Sequence, residues 1–317
     1  MLAKGSWKDV KSLVGKIAET ENSYMYTKDA QLPSHTRFAL NGLSQLGSKT
    51  HFPPTFINEL IAEGHGALAD QIMATKCDDY FLNDRHNALL FREFGFGHKE
   101  PMIHGVLTDR YSVFDDKEVV NILESSDYLM GAGQIWYDVT PDQFHARFIS
   151  SEKLYIGGDT SPLSMCVFVD NSMVGKSMLK IRFGLYRWAC TNGVISDFKE
   201  FCILRERHVG TEKDWTRIVA ESLIDVKRYE QMLLDKVKDM SITKSAIYDM
   251  TEEDAERYIR DKLTTSKKKA REIIECYNTV YGAFSKWDLC NAITEVAHNV
   301  ETLDTRLLFE QRAMKVA

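Results

Sequence analysis

Apolar residues recur along the chain with two different spacings, and the changes between them divide the sequence into regions. Residues 1–35 are polar and carry few consecutive apolar positions, so they are predicted to form an extended or partly helical N-terminal arm outside the core. From residue 36 to residue 95 the apolar positions recur at helical intervals, and Pro53-Pro54 marks the start of a new helix. This spacing predicts a small helical subdomain.

Strand patterns dominate from residue 96 to residue 210. The two glycines of Phe94–Gly97 indicate a linker and a domain boundary near residue 96. A short helix is predicted within Asp115–Leu129 from its apolar spacing. The following segments Gln134–Val139, Phe144–Ile149 and Lys153–Ile156 are short and rich in β-branched and aromatic residues, which is typical of strands.

The middle of the chain carries the clearest strand pair. Leu163–Val169 and Met178–Phe183 flank a segment rich in Asp, Asn, Ser and Gly, the residues that hairpin connections use. Because side chains alternate along a strand, Lys180 and Arg182 fall on one face of the second strand and its apolar side chains on the other. One face is therefore predicted to join the core, and the other to be cationic.

Helical spacing returns at residue 211 and continues to residue 317. An apolar stripe from Trp215 to Met240 predicts the longest helix of the chain, at about eight turns. Thr251 with Asp254 three residues later is typical of a helix start. Further helices are predicted over 252–263, 266–283 and 286–312. The whole pattern predicts an α+β fold, with a helical N-terminal subdomain, a central antiparallel β-rich core and a C-terminal helical bundle.

Composition narrows the classes of function. A chain of 317 residues, 44% of them hydrophobic, can bury a large core. The net charge of -6 gives no support to a general nucleic-acid coat, so any anion must be bound by a local patch. The six cysteines form no C-x-x-C pair, and no apolar run approaches the roughly 18 residues of a membrane span. We expect a soluble protein of the cytoplasm with reduced thiols and no membrane partner.

A group of basic residues around the predicted hairpin is the first candidate site. Its members are Lys176, Lys180, Arg182, Arg187, Arg205, Arg207 and His208. The later arginines join it if the chain folds back after the Asn192-Gly193 turn. Such groups can follow phosphates, and Tyr186 and Trp188 nearby are candidates for stacking on bases. The alternative is that the charges are solvated and protect a sheet edge, with the aromatics in the core.

Three other patterns are weaker candidates. Cys190 is a nucleophile only if a base such as His208 lies beside it. Asn291, Glu295 and His298 share one helical face and are either metal ligands or a buried hydrogen-bonded cluster. The cationic run Ser266–Arg271 is either a contact for a partner or a solvated face.

Three groups of short motifs resemble a known family. They are Asp109–Val113 with Lys117-Glu118, then Asn171-Ser172-x-x-Gly175 with Gly184–Gly193 and Arg207-His208, and last Trp287–Glu295 with His298. The chain resembles, over roughly residues 100–300, the phage/plasmid-like proteins, a domain of unknown function numbered nine-three-two. The resemblance implies an origin in a phage or plasmid, but no settled activity. It also invites comparison with Rad52-like single-strand annealing proteins, which have a curved antiparallel sheet with helices on one side.

These observations lead to three hypotheses. The first is a non-enzymatic mobile-element protein that binds nucleic acid, preferably single-stranded, through the cationic sheet face, as a single chain or as a homo-oligomer. The second is an interaction protein that inhibits or redirects a host protein, such as a defence factor. The third is a metal-dependent hydrolase that uses Glu295, His298 and His208. Under the first hypothesis, no catalytic residue, metal ligand or cofactor is assigned.

Overall fold

The computed structural model describes residues 2–27, 37–83, 88–126, 129, 131–155, 162–188, 192–195, 202–210, 214–224, 226–282, 284–300 and 302–317. The strands are β1 (Ala3–Gly5), β2 (Glu21–Thr27), β3 (Ala88–Phe94), β4 (Met102–Thr108), β5 (Ala132–Thr140), β6 (Gln143–Ser150), β7 (Leu163–Asn171), β8 (Leu179–Arg187), β9 (Asn192–Ile195) and β10 (Cys202–Glu206). The helices are α1 (Trp7–Ala18), α2 (Leu40–Thr50), α3 (Pro54–Ala62), α4 (Gly66–Asn83), α5 (Asp116–Glu124), α6 (Trp215–Ser222), α7 (Val226–Ile242), α8 (Glu252–Leu263), α9 (Lys267–Thr279), α10 (Lys286–His298) and α11 (Leu303–Val316). The predicted α+β fold is confirmed.

The larger of two antiparallel sheets has the order β1-β5-β6-β7-β8-β10, and β9 also pairs with β8. The predicted hairpin is its centre, since β7 and β8 pair with Val167 opposite Phe183. One face carries the main core, where Phe183 stacks on Tyr229 of α7 with ring centroids 5.5 Å apart. On the same face Trp7 of α1 stacks on Phe148, at 4.8 Å. Helices from both ends of the chain therefore cover this face.

The N-terminal segment is part of the core, so the prediction of a separate arm is wrong for the described residues 2–27. Helix α1 begins at a capping box between Ser6 and Asp9, and its Val10, Val14 and Ile17 are buried in the main core. Strand β1 pairs with β5, and β2 pairs with β3. Apolar residues four and three positions apart are enough for one buried helical stripe. A count of consecutive apolar positions does not detect that stripe.

A second sheet has the order β2-β3-β4 and carries helices α2–α4 on its core side. The predicted boundary near residue 96 falls in the connection between β3 and β4, which are hydrogen-bonded neighbours. Gly97 has a φ of 78° there, a value that glycine adopts at no steric cost. A tight turn inside one sheet and an interdomain linker use the same residues, so the glycines alone do not distinguish them.

Two long helices predicted in the C-terminal region are each divided in two. The apolar stripe from Trp215 to Met240 is interrupted after Ser222, whose hydroxyl donates a hydrogen bond of 2.6 Å to the carbonyl of Val219. A serine bonded back to the preceding turn competes with the helical ladder. Likewise α10 ends at His298, and α11 begins after Thr302, whose hydroxyl accepts from the amide of Thr305. The helix start predicted at Thr251 is confirmed.

The first part of the connection between β7 and β8 is buried rather than exposed, and Gly175 and Lys176 bring the chain back to the surface. Asn171, Ser172 and Val174 are each 0% exposed, in a segment whose composition is typical of a surface turn. The Ser172 hydroxyl donates to the carbonyl of Asp142 (2.7 Å) and accepts from the amide of Lys176 (2.9 Å). We call residues 171–178 the central turn, since it lies between the two sheets.

Three successive carbonyls of the central turn accept hydrogen bonds from side chains elsewhere in the chain. Tyr111 donates to the carbonyl of Ser172 (2.8 Å), Arg92 to that of Met173 (3.2 Å), and Gln45 to that of Val174 (2.7 Å). Arg92 lies on β3 and Gln45 on α2, so the smaller sheet and its helices are tied to the larger sheet. A buried carbonyl without a donor is costly, which makes these contacts obligatory.

Buried charges support the same junction. Arg92, only 2% exposed, forms ion pairs with Glu21 of β2 and with Asp115, the latter at 2.9 Å. Asp116 at the start of α5 accepts a hydrogen bond of 2.8 Å from the side-chain amide of Asn171. Burial raises the pKa of Asp116 to about 7. The paired guanidinium and the carboxyl beside the turn fix α5 against both sheets.

Gly175, the single glycine of the central turn, should be sensitive to substitution. Its φ is 70°, and an added Cβ would lie 2.7 Å from Cδ2 of Leu107. Gly175→Ala should therefore lose about 1–2 kcal/mol of unfolding free energy to backbone strain and about 1–3 kcal/mol more to overpacking. Gly64→Ala is the matched control, since its φ is 85° and an added Cβ would have no neighbour within 4 Å. Urea denaturation measures both, and an equal loss in the two variants would contradict the close packing of the turn.

Candidate nucleic-acid interface

A cleft of about 450 Å³ opens beside the central turn. Its lining combines α2, β4, the turn and the segment that follows β10. The lining residues are Gln45, Lys49, Leu107, Tyr111, Gly175, Lys176, Ser177, Met178, Arg207, His208 and Val209. This set contains the cations Lys49, Lys176 and Arg207 and no carboxylate, although the chain as a whole is acidic. We call it the cationic cleft.

Lys49 is the member of the cleft that sequence reasoning missed. It lies one turn after Gln45 on α2, and Gln45 fixes this helix by also accepting from the amide of Val106 at 2.7 Å. Lys49 is half-buried, and burial lowers the pKa of its ammonium group. Across the part of the chain that the structure describes, Lys49 makes no hydrogen bond and no ion pair. A half-buried lysine usually covers its aliphatic stem and keeps its ammonium at the surface, so the Lys49 ammonium is a positive charge at the cleft that no carboxylate of the described residues neutralises.

The turn and the strand ends supply the other cations. Lys176 is exposed, and within the described part of the chain its ammonium donates only to the neutral side chain of Gln143, at 3.1 Å. Lys180 lies directly opposite Arg205 in the β8–β10 pair, which confirms that the chain folds back. On its other side, Lys180 lies directly opposite Asp170 in the β7–β8 pair, and its charge helps to lower the pKa of that carboxyl. Neither Lys180 nor Arg205 forms an ion pair within the described ranges.

Arg182 does not lie on an exposed cationic face, so this part of the sequence prediction is wrong. It is 3% exposed and forms an ion pair with Asp170, which His145 also contacts. Burial by itself would raise the pKa of Asp170, but Arg182 and His145 hold it well below its usual range. The second face of the sheet is covered because α11 packs on it, with Glu310 paired to Arg147 at 2.6 Å.

The two candidate stacking residues are also not presented as a platform. Tyr186 is 2% exposed and meets Trp188 edge to face, with ring centroids 5.3 Å apart. Trp188 is half-buried, and its indole nitrogen donates to the hydroxyl of Ser164 at 2.8 Å. The ammonium group of Lys153 lies 5.3 Å from the Trp188 ring centroid. These aromatics form a small cluster on the covered face of the sheet.

The remaining members of the predicted basic group are separated from each other. Arg187 lies at the opposite end of β8 from the turn, where it donates to the hydroxyl of Tyr281 at 2.9 Å. His208 lines the cleft but is 3% exposed, since its ring lies 5.3 Å from that of Tyr111 and 5.2 Å from that of Trp215. The structure thus places Lys176 and Arg207 around one cleft together with Lys49, and Lys180 opposite Arg205 in the adjoining strand pair.

The structure does not support a binding or catalytic site at the three weaker candidates. Asn291 is buried, Glu295 accepts from Tyr281 at 3.4 Å, and His298 is exposed. Within the described ranges no group of three or more His, Cys, Asp or Glu side chains is arranged to hold a metal ion. Cys190 lies outside the described residues. In the run Ser266–Arg271, Lys268 remains exposed, while neighbouring cations are paired with acids of α8 and α9.

Comparison with known proteins places the chain in a family. The sequence model described as Domain of unknown function (DUF932) matches residues 103–315. The chain belongs to this family. No curated protein and no solved structure matches it. The matched region of this DUF932 protein contains the central turn and the strands β5–β10, whereas Gln45 and Lys49 precede it. Of the helices in the described residues, none combines the length and apolar character needed to cross a membrane.

The same substitution should affect stability strongly at Arg182 and hardly at all at Arg205. Arg182→Ala removes the partner of a buried carboxylate and should lower the unfolding free energy by about 3–5 kcal/mol. Arg205→Ala removes an exposed cation with no carboxylate partner among the described residues and should change it by less than about 0.5 kcal/mol. Chemical denaturation of both variants measures this difference. Equal small effects would mean that Arg182 is solvated, as the sequence pattern predicted.

Proposed function

We propose that this DUF932 protein binds nucleic acid, preferably single-stranded, through the cationic cleft and the adjoining ends of β8 and β10. The observation that carries the proposal is the half-buried ammonium of Lys49, which has no counter-ion among the described residues. Lys176, Lys180 and Arg205 also form no ion pair within the described ranges. A phosphate bound there would neutralise Lys49, Lys176 and Arg205, which have no carboxylate partner among the described residues, whereas Lys180 also lies opposite Asp170.

The form of the cleft favours a single strand. A volume of about 450 Å³ admits one nucleotide-sized group, since sites for small molecules span roughly 300–1,000 Å³. A duplex presents its phosphates on a convex surface that is too wide to enter such a cleft. The buried positions of Tyr186 and Arg182 remove the stacking and the sheet-face contacts expected from sequence, so binding on this proposal is mainly electrostatic.

The proposal is tested by anisotropy titrations with labelled single-stranded and duplex oligonucleotides of one sequence, between about 50 and 200 mM salt. The wild-type protein should bind the single strand more tightly, with an affinity that falls as salt rises. Lys176→Ala/Arg205→Ala should weaken binding and reduce the slope of log K against log salt by about 1.4, or 0.7 for each phosphate that the variant no longer neutralises.

Lys268→Ala/Lys269→Ala is the control, because it also removes two positive charges, the exposed Lys268 and Lys269 paired with Glu272, from a helix that does not line the cleft. It should leave the affinity within about twofold, as expected for cations that are not at the interface. An equal loss in the two double variants would show that binding is nonspecific charge attraction. Failure of the wild-type protein to bind any nucleic acid at low salt would overturn the proposal.

The interaction-protein alternative stays a prediction, and one surface would serve it. At one end of the helical bundle, Tyr248 and Phe284 lie with ring centroids 5.5 Å apart and are each 42% exposed. Ile242 and Val280 nearby in the sequence are 76% and 64% exposed. Exposed apolar groups of this kind are typical of surfaces that contact other proteins. Absence of nucleic-acid binding in the titrations would favour this alternative.

A further inference from the structure

We propose that the cationic cleft holds the phosphate monoester at the end of a nucleic-acid strand, with Lys49, Lys176 and Arg207 around it. This inference rests on the proposed function and specifies which part of the strand the cleft binds. It follows from the way in which cations from three separate elements line one small cavity.

The arrangement of the cations is convergent rather than linear. Lys49 comes from α2, Lys176 from the central turn, and Arg207 from the segment after β10. A groove that follows a backbone distributes its cations along a path, so that each meets one singly charged phosphate. A terminal phosphate monoester carries about two negative charges at neutral pH and three acceptor oxygens. Three cations lining one cavity suit that group better than an internal phosphodiester.

The polar lining also suits a phosphate end. The Ser177 hydroxyl lines the cleft, and it makes no hydrogen bond to the residues that the structure describes. It is therefore available as a donor beside the ammonium of Lys176. The half-buried position of Lys49 raises the benefit of a doubly charged ligand, because charge interactions strengthen as water is excluded.

The surroundings give the strand one direction in which to leave the cleft. A second cleft, of about 760 Å³, shares Tyr111 with the first and is lined by the carboxylates of Asp109, Glu118 and Asp214. These acids repel a polyanion on that side. The nearest cations along the chain are Arg205, two residues before Arg207 of the cleft, and Lys180, which lies opposite Arg205 in the β8–β10 pair. We infer that the strand end enters the cleft and that the next phosphates follow Arg205 and Lys180.

The direct test compares strands of one sequence that differ only at their ends, with a 5′-phosphate, a 3′-phosphate or hydroxyl groups at both ends. Anisotropy titrations with the wild-type protein should show about tenfold tighter binding for one phosphorylated strand than for the hydroxyl-ended strand. Lys49→Ala should abolish this preference while the protein still binds the hydroxyl-ended strand. Lys268→Ala should keep the preference unchanged.

Two further measurements distinguish a strand end from a free nucleotide or free phosphate as the ligand, and loss of the site from loss of the fold. A nucleoside monophosphate and inorganic phosphate, used as competitors, should displace the strand only at concentrations far above the Kd of the strand. Lys49→Arg should restore the preference for the phosphorylated end, and a thermal melt of Lys49→Ala should show a folded protein.

Each contrary result has its own meaning. Equal affinities of the wild-type protein for all three strands would overturn the inference and leave nucleic-acid binding itself intact. A mononucleotide that competes at the Kd of the strand would also overturn it, since the cleft would then be a site for free nucleotides. Absence of binding to every strand would instead be the failure of the proposed function.

Discussion

The structure depends on the burial of the first half of the central turn, residues 171–174, between two sheets. A turn at this depth must place its carbonyls against donors from elsewhere in the chain, because buried backbone groups cannot remain without partners. Tyr111, Arg92 and Gln45 supply those donors. The same contacts bring α2 to the strand ends, so the requirement to satisfy one turn determines where Lys49 lies.

The cations of the described residues fall into two groups, those with a carboxylate partner and those without one. Deeply buried guanidinium groups have carboxylate partners, as Arg92 has with Glu21, Arg147 with Glu310 and Arg182 with Asp170. The cations around the cleft are different, since Lys49 and Lys176 make no ion pair within the described ranges. In a chain of net charge -6, this concentration of unpaired positive charge is a local feature, and it is the basis of the proposed anion binding.

Sequence reasoning identified what depends on local pattern. Alternation of side chains along β8 correctly predicted that Leu179 lies on the core face and Lys180 on the other face of the sheet. The Asp, Asn, Ser and Gly content of the central turn correctly predicted the hairpin. It did not show that α11 covers the second face and buries Arg182, because coverage depends on contacts distant in sequence. Lys49 gave no signal of its own, since one lysine on an amphipathic helix resembles any solvated charge. Only its distance from carboxylates distinguishes it, and that is a property of the fold.

The most direct test of this account is lysine footprinting by reductive methylation, read by mass spectrometry, with and without a 5′- or 3′-phosphorylated single strand. We expect Lys49, Lys176 and Lys180 to be methylated several-fold more slowly when the strand is bound, while the rate at Lys268 stays the same. Protection of Lys268 equal to that of Lys49, or no protection of Lys49 under conditions where the strand is bound, would contradict it.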